Sequence, residues 1–436
     1  MVKWKRRSDR IPCSCKIVIV LFLVGVQGGF GLENLRYSGP GLPENHEVRL
    51  RMIDQLYAPI GTATSLEGRV FTQRSAAHRV MFEVIVHDKH LYSLFINEIG
   101  GEFTVAAEGN YIVRRSLENG SISQVKIFTR SDAGCFVRVF PFGERSKLDL
   151  FVYGYRLQSA VVLPIAFREA LAGPFAKIVQ LTQGRIDWTT VLHRHSREGD
   201  RRVAQLVAGI RGELPKLRDA DDGAMDAEGR FVLIETGMPQ AASSGLNCSG
   251  FVKWIIDGYY GPLTGQSTAV EQLKQRNLEF RGHDWSDRHE IRRDPYFGLD
   301  WSRNLALLLE AARSGATTAN VEAMDVRVAE PLAYIEDVGY PCRELEVLLF
   351  YLAQKHPGYF YVGSLNRDFG EDPILRQHYH LVALFPHFLA DGTFVVDVFE
   401  RNRETSLESL YERYGQDYIH LVRVESIGAF KPPEAQ

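Results

Sequence analysis

The sequence has little net charge. Its 51 basic and 54 acidic residues leave a formal net charge of −3 over 436 residues. A protein that binds nucleic acid or an anionic membrane through its overall charge carries a clear basic excess, so the composition excludes such general affinity. The acidic run at 219–229, DADDGAMDAEG, is expected to be a solvated loop.

No apolar run near the N-terminus is long enough for a comfortable transmembrane helix, since the run Ile17–Val26 is short. A basic stretch containing Lys3 and Arg10 precedes this run, and the small-residue sequence GGFG follows it. This order is typical of a secretory signal, so residues 1–31 are predicted to be a signal peptide. We therefore expect an exported protein of the periplasm or cell envelope, and whether the signal is cleaved stays open.

Cysteine is scarce. Two of the five cysteines, Cys13 and Cys15, lie in the predicted signal, which leaves Cys135, Cys248 and Cys342 in the mature chain. Three cysteines form at most one internal disulfide, so at least one thiol stays unpaired. An unpaired thiol in an oxidising compartment requires a functional explanation.

About 400 residues remain after the signal, enough for two domains. Residues 32–69 contain glycine, proline and polar residues and are predicted to be an extended lead-in. Across 70–165 apolar residues alternate with period two, as at Val80, Phe82 and Val84. This period predicts an all-β module, a small sandwich or barrel, whose expected role is to bind the cell wall or envelope.

Residues 166–430 are predicted to form the second domain. Its first strong signal is a helical stripe of apolar residues that begins at Val203 and ends at Ile210. A charged insertion at about 260–340 contains a predicted helix at Asn304–Ala312 and is expected to shape or cap a substrate cleft.

The stretch Gly245–Trp254, GLNCSGFVKW, carries the main chemical signal. Asn247 is a good helix N-cap and an apolar run follows it, which places Cys248 in the first turn of a buried helix. Unpaired backbone N–H groups and the positive end of the helix dipole favour a thiolate there. Cys342 also precedes a helix, but Glu344 and Glu346 would repel a thiolate, so Cys248 is the candidate nucleophile.

A candidate base lies in HYHLVALF, residues 378–385, which is predicted to be a strand covered on both sides. Its two histidines, His378 and His380, are expected on one face. The next predicted strand, TFVVDVFE, contains Asp397, and a buried carboxylate needs a cation or donors such as an imidazole N–H. Pairing about a loop centred on Leu389 would bring Asp397 within about one residue of His380, and the register decides its face.

The sequence CSGFV followed by a hydrophobic helix resembles the nucleophile motif of the NlpC/P60 cysteine peptidases, a papain-like family that cleaves cell-wall peptides. The resemblance implies an α+β, NlpC/P60-type domain after the small all-β module. It further implies Cys248 as nucleophile, His380 at a strand start as general base, and Asp397 as the polar residue on the next strand. Peptidoglycan peptide is the implied substrate, and neither a cofactor nor a metal is expected.

Two departures from the family pattern leave other interpretations open. Asn247 stands where the family usually has aspartate, and the upstream stretch FVLIETGMPQ lacks the family's substrate-holding tyrosine. A non-enzymatic envelope protein with a degenerate peptidase fold is one alternative. The other is a metal-binding protein, whose candidate ligands are His378, His380, His387 and Asp397.

Overall fold

A computed structural model describes residues 42–436 apart from 242–243, 278–293, 316–319, 331, 372–373, 428 and 435–436. The predicted signal peptide, residues 1–31, lies outside the described residues. The chain divides into two compact units, 1–193 and 194–436. Both units combine helices with an antiparallel sheet, so the fold class is α+β.

The first unit contains nine strands in one antiparallel sheet, in the order β1-β2-β3-β5-β6-β7-β8-β9, with β4 paired to β3. Apolar side chains from alternate positions, such as Val80, Phe82 and Val125, are fully buried. The strands are β1 (Arg69–Phe71), β2 (Val80–His87), β3 (His90–Ile99), β4 (Glu102–Phe103), β5 (Tyr111–Ser116), β6 (Ile122–Phe128), β7 (Phe136–Phe142), β8 (Arg145–Val152) and β9 (Tyr155–Leu163).

The period-two prediction for this region is confirmed, but three details differ. The strands form one sheet rather than the two sheets of a sandwich, and the described residues contain no pairing of β1 with β9 that would close a barrel. The expected extended lead-in is helical over much of its length: α1 (His46–Arg51), α2 (Ile53–Tyr57) and α3 (Ile60–Thr64). The first unit also includes α4 (Phe167–Ala172), α5 (Phe175–Thr182) and α6 (Trp188–Val191), because α4 and α5 pack against β7, β8 and β9.

The second unit is built on a six-stranded antiparallel sheet of order β12-β17-β13-β14-β15-β16. Two further strands form a small hairpin, β10 (Ala224–Met225) with β11 (Phe231–Val232). The sheet strands are β12 (Tyr340–Pro341), β13 (Tyr359–Phe369), β14 (Leu375–Phe388), β15 (Phe394–Glu400), β16 (Arg403–Thr405) and β17 (Tyr418–Glu425). The helices are α7 (Glu198–Glu213), α8 (Cys248–Thr264), α9 (Val270–Leu273), α10 (Phe297–Ser314), α11 (Leu345–Lys355) and α12 (Leu407–Tyr414).

Helix α8 lies at the centre of the second unit's core. Phe251, Ile255 and Ile256 are fully buried and pack in one cluster with residues of α7, α10 and the sheet. Each such side chain contributes about 1.5–3 kcal/mol by leaving water. The helix predicted in the insertion is confirmed as part of α10, whose Trp301 Nε1 donates to the carbonyl of Ser249. This helix of the insertion therefore packs into the core, and the expected role of the insertion in shaping or capping a cleft stays a prediction.

The ends of α8 follow ordinary capping rules. Asn247 Oδ1 accepts a hydrogen bond from the Gly250 N–H at 2.8 Å, and Gly265 ends the helix at φ +79°. Helix α8 contains a glycine at position 258, where the Phe430 ring occupies the space that a side chain would fill. Pro262 lacks an N–H, and the Gly258 carbonyl that it leaves unpaired accepts from the Lys431 N–H at 2.9 Å.

None of the helices in the described ranges has the length and apolar character needed to cross a membrane.

Two glycines of α8 provide a matched test of its packing. A methyl group on Gly250 would overlap the Gly223 carbonyl oxygen and lie 2.9 Å from the Ala224 Cα, whereas the nearest atom to one on Gly261 is 3.8 Å away. Gly250→Ala should therefore lower the free energy of unfolding by about 2 kcal/mol or more through overpacking. Gly261→Ala should raise it by up to about 1 kcal/mol through helix propensity. Denaturant unfolding measures both, and equal effects would contradict this packing of α8.

Candidate catalytic site

Cys248 is the first residue of α8 and is partly exposed. No acidic residue lies in the first turn of this helix, so its free backbone N–H groups and dipole act on the thiol without opposition. The backbone N–H of Leu381 on β14 also acts on the sulfur and helps to lower the pKa of Cys248. Sequence alone predicted the helix position, but this contact to the sheet depends on the tertiary fold.

Close backbone packing fixes the segment that leads into Cys248. The N–H of Leu246 donates to the Arg218 carbonyl at 2.8 Å, and the N–H of Asn247 donates to the Gly223 carbonyl at 3.0 Å. Gly245 also packs here, since a side chain on it would lie 2.6 Å from the Arg218 carbonyl oxygen. Arg218 and Gly223, which lie just before and within the predicted acidic loop, thus support the segment 245–247 that leads into Cys248.

His380 on β14 contacts both Cys248 and Glu400. Its Nε2 lies 2.7 Å from Glu400 Oε2, and the imidazole is close enough to the Cys248 thiol that each group shifts the pKa of the other. Because Glu400 occupies Nε2, Nδ1 is the ring nitrogen left for the sulfur. His380 is buried among these partners and the Tyr414 ring, whose centroid lies 5.8 Å from that of the imidazole.

Glu400, the last residue of β15, is the carboxylate that orients the imidazole. It is 4% exposed and also pairs with the Arg413 guanidinium of α12. Burial would raise the pKa of this carboxyl, but the hydrogen bonds and charges of His380 and Arg413 lower it to about 2. The group therefore stays ionised and accepts the imidazole N–H through the neutral pH range.

The electrostatics favour a thiolate–imidazolium pair. Burial would raise the pKa of Cys248, but the hydrogen bond and charge of His380 and the Leu381 N–H outweigh it, so the pKa lies below that of an ordinary thiol. Burial would lower the pKa of His380, but Cys248 and Glu400 raise it to about 9. A thiolate held beside a protonated imidazole is the reactive state of a cysteine nucleophile.

The structure does not bring Asp397 to His380. Asp397 pairs across the strands with Phe385, and its carboxylate lies 2.9 Å from Arg211 and 3.8 Å from His387. The reason is register. Ala383 pairs with Phe399 and Phe388 with Phe394, so the hairpin is centred on Asp391 rather than on Leu389. Strand β14 extends beyond the predicted end at Phe385 to Phe388, and Glu400 rather than Asp397 is the carboxylate beside the imidazole.

His378 and His380 do not share a site, although they were expected on one face of the strand. The pairing of β14 with β13 shifts between Leu365 and Asn366, so a bulge interrupts the alternation of side chains. His378 contacts Ser364 Oγ and the Asp337 carbonyl, each at 2.9 Å, and is buried. Burial and nearby positive charge place its pKa well below the ordinary value, so it is neutral.

The four candidate metal ligands have different partners. His387 Nδ1 lies 3.1 Å from the Phe385 carbonyl, Asp397 pairs with Arg211, and His378 and His380 have the contacts given above. Across the ranges that the structure describes, no three or more histidine, cysteine, aspartate or glutamate side chains are grouped so as to hold a metal ion.

Cys342 lies in a different environment from Cys248. It is 3% exposed, and burial together with the charge of Asp417 raises its pKa far above the ordinary range. Sequence analysis ranked the two thiols in this order, but for another reason: Glu344 and Glu346 were expected to act on Cys342, whereas the causes found are burial and Asp417.

A comparison with protein families finds a similarity that lies in the first part of the chain. Residues 38–190 match a family described as a domain of unknown function, DUF8515. Neither the curated proteins nor the solved structures contain a significant match to the chain.

Alkylation tests the electronic state of Cys248. At pH 7 iodoacetamide should label Cys248 faster than an ordinary free cysteine, because its lowered pKa increases the fraction of the side chain that is thiolate. Labelling should decline only as the pH falls through that lowered pKa. The buried Cys135 and Cys342 should react only after unfolding. Peptide mass mapping gives the rate at each cysteine, and similar rates at Cys248 and Cys342 would refute the assignment.

Substitution of the two candidate carboxylates separates their roles. Glu400→Gln keeps the shape but removes the charge that stabilises the imidazolium, so the pKa of His380 should fall by about one to three units. Labelling of Cys248 at pH 6–7 should slow by about tenfold or more. Asp397→Asn is the matched control and should label like the wild type, since Asp397 contacts Arg211 and His387. If Cys248 is labelled slowly in Asp397→Asn and at the wild-type rate in Glu400→Gln, then Asp397 and not Glu400 orients the imidazole.

Proposed function

We propose that the second unit is a cysteine amide hydrolase of papain-like, NlpC/P60 type. The observation that carries the proposal is the continuous contact from Cys248 through His380 to Glu400, with Cys248 at a helix N-terminus. The three groups come in the chain order of the resembling family: a cysteine that begins a helix, a histidine on a strand, and a polar residue on the next strand. The order supports the proposal although the third residue is not the one expected from sequence.

The reaction follows from the roles of these groups. The Cys248 thiolate attacks the amide carbonyl carbon, and the new C–S bond pushes the π electrons onto the oxygen. The backbone N–H of Cys248, free of an intrahelical acceptor by its position, is placed to bind that oxyanion. The His380 imidazolium gives its proton to the leaving nitrogen as the C–N bond breaks, and an amine departs from a thioester.

Water completes the cycle. His380, now neutral, takes a proton from the attacking water, the C–S bond breaks, and a carboxylic acid leaves with the thiolate restored. Glu400 stays ionised throughout and stabilises the imidazolium at each stage. Hydrolysis should therefore fail as the pH rises through about 9, where His380 loses the proton that the leaving amine requires.

The proposed substrate is a peptide of the bacterial cell wall. It derives from the family resemblance of CSGFV and from the predicted signal in residues 1–31, which would bring the protein to the envelope. The first unit is proposed to hold the hydrolase near its substrate by binding wall or envelope.

Activity assays test this function. Purified mature protein incubated with muropeptides should release new amine-terminated products, detectable by mass spectrometry. Cys248→Ala and His380→Ala should each abolish nearly all turnover, and the double variant should be little worse because the two residues act as one unit. Cys342→Ser is the matched control and should remain active.

Three results would contradict the proposal. Activity that survives in Cys248→Ala but is lost in Cys342→Ser would place the nucleophile elsewhere. Activity that survives iodoacetamide but is lost with a chelator would favour the metal-binding alternative. A protein without any turnover of muropeptides or simple peptide amides would favour the non-enzymatic alternative.

A further inference from the structure

The turn between β15 and β16 connects three parts of the site through consecutive residues. Glu400 contacts His380, Arg401 contacts Asp219, and the Asn402 side-chain amide donates to the Leu246 carbonyl at 2.9 Å. Arg401 and Asn402 both have positive φ, +45° and +61°, a conformation that non-glycine residues adopt only when their surroundings hold them there. The turn is therefore a fixed element beside the nucleophile segment.

Arg401 presents one edge of its guanidinium outward. Its Nε and Nη2 donate to the two Asp219 carboxylate oxygens at 3.0 and 2.9 Å. Nη1 makes no hydrogen bond within the described residues, and the side chain is 36% exposed. Asp219 thus fixes the orientation of the planar fork, and the Nη1 edge remains open to a ligand.

Arg401 is also electrostatically coupled to Cys248. The pKa of Arg401 is raised first by its hydrogen bond to Asp219, and the charge of the Cys248 thiolate adds to that rise. Asp219 itself is bridged to Leu246, two residues before Cys248, which accounts for the proximity. Asp221 lies 3.6 Å from Nη2 but is fully exposed, so water screens its repulsion of an anion.

We propose that Arg401 provides an anion-binding edge beside Cys248 and selects amide substrates that carry a carboxylate next to the scissile bond. The inference rests on the proposed hydrolase function and names its substrate class. Arginine suits this role because its planar fork binds one carboxylate through Nε and Nη2 and can donate to a second through Nη1. A bound carboxylate would be held at a distance from Cys248 set by the rigid turn.

Two alkylating reagents that differ in charge test the edge without a known substrate. Iodoacetate is a carboxylate and iodoacetamide is its neutral counterpart, and both attack the same thiolate. The ratio of their reaction rates at Cys248 is measured by peptide mass mapping. Because both reagents attack the same thiolate, this ratio does not depend on the thiolate fraction and measures the electrostatic potential at the sulfur. Arg401→Gln should lower the iodoacetate-to-iodoacetamide ratio by about three- to tenfold.

Two controls sharpen the result. Arg403→Gln removes the same charge two residues further along the chain and should leave the ratio unchanged. Arg401→Lys keeps the charge and should keep most of the ratio. If Arg401→Gln does not fold, raising salt from about 0.05 to about 0.5 M should lower the wild-type ratio by screening.

The outcomes distinguish the two proposals. A rapidly alkylated Cys248 whose ratio is the same in wild type, Arg401→Gln and Arg403→Gln would overturn the role of Arg401 and leave the hydrolase proposal standing. If Arg401→Gln does not fold, a wild-type ratio that stays the same when salt is raised would also overturn the role of Arg401. A Cys248 that reacts no faster than a free thiol at pH 7 would overturn both.

Discussion

The second unit depends on a row of alternating charges that runs from Cys248 through His380 and Glu400 to Arg413. A single buried charge in this row would be costly, because removing an ion from water without a partner is unfavourable by several kcal/mol. Each member is stabilised by its neighbours of opposite sign. The Cys248 sulfur is thus part of a larger ionic arrangement that helices α8 and α12 and strands β14 and β15 must assemble together.

Local signals in the sequence identified the elements on which this row is built. An N-cap asparagine before an apolar run predicted the start of α8, and the hydrogen bond that Asn247 Oδ1 accepts from the Gly250 N–H confirms it. The stripe at Val203–Ile210 predicted α7, and period two predicted the strands of the first unit. These predictions succeed because capping and side-chain periodicity are short-range properties of the backbone.

Features that depend on strand register were not predictable in the same way. A shift of two residues in the centre of the hairpin turn, from Leu389 to Asp391, makes Glu400 instead of Asp397 the partner of His380. A bulge in β14 separates His378 from His380. Glu400 was visible as a carboxylate ending an apolar strand, three residues after Asp397. The pairing of Ala383 with Phe399, which only the structure gives, shows that the carboxylate beside His380 belongs to the last residue of β15, Glu400.

The turn at Glu400–Asn402 has a consequence for sequence variation. Loops at the protein surface usually tolerate inserted or deleted residues. Here three successive side chains contact His380, Asp219 and the Leu246 carbonyl, so one residue added or removed would displace all three contacts at once. We therefore infer that the length of this turn is as constrained as the identity of the cysteine, and that functional relatives would differ elsewhere in length but not here.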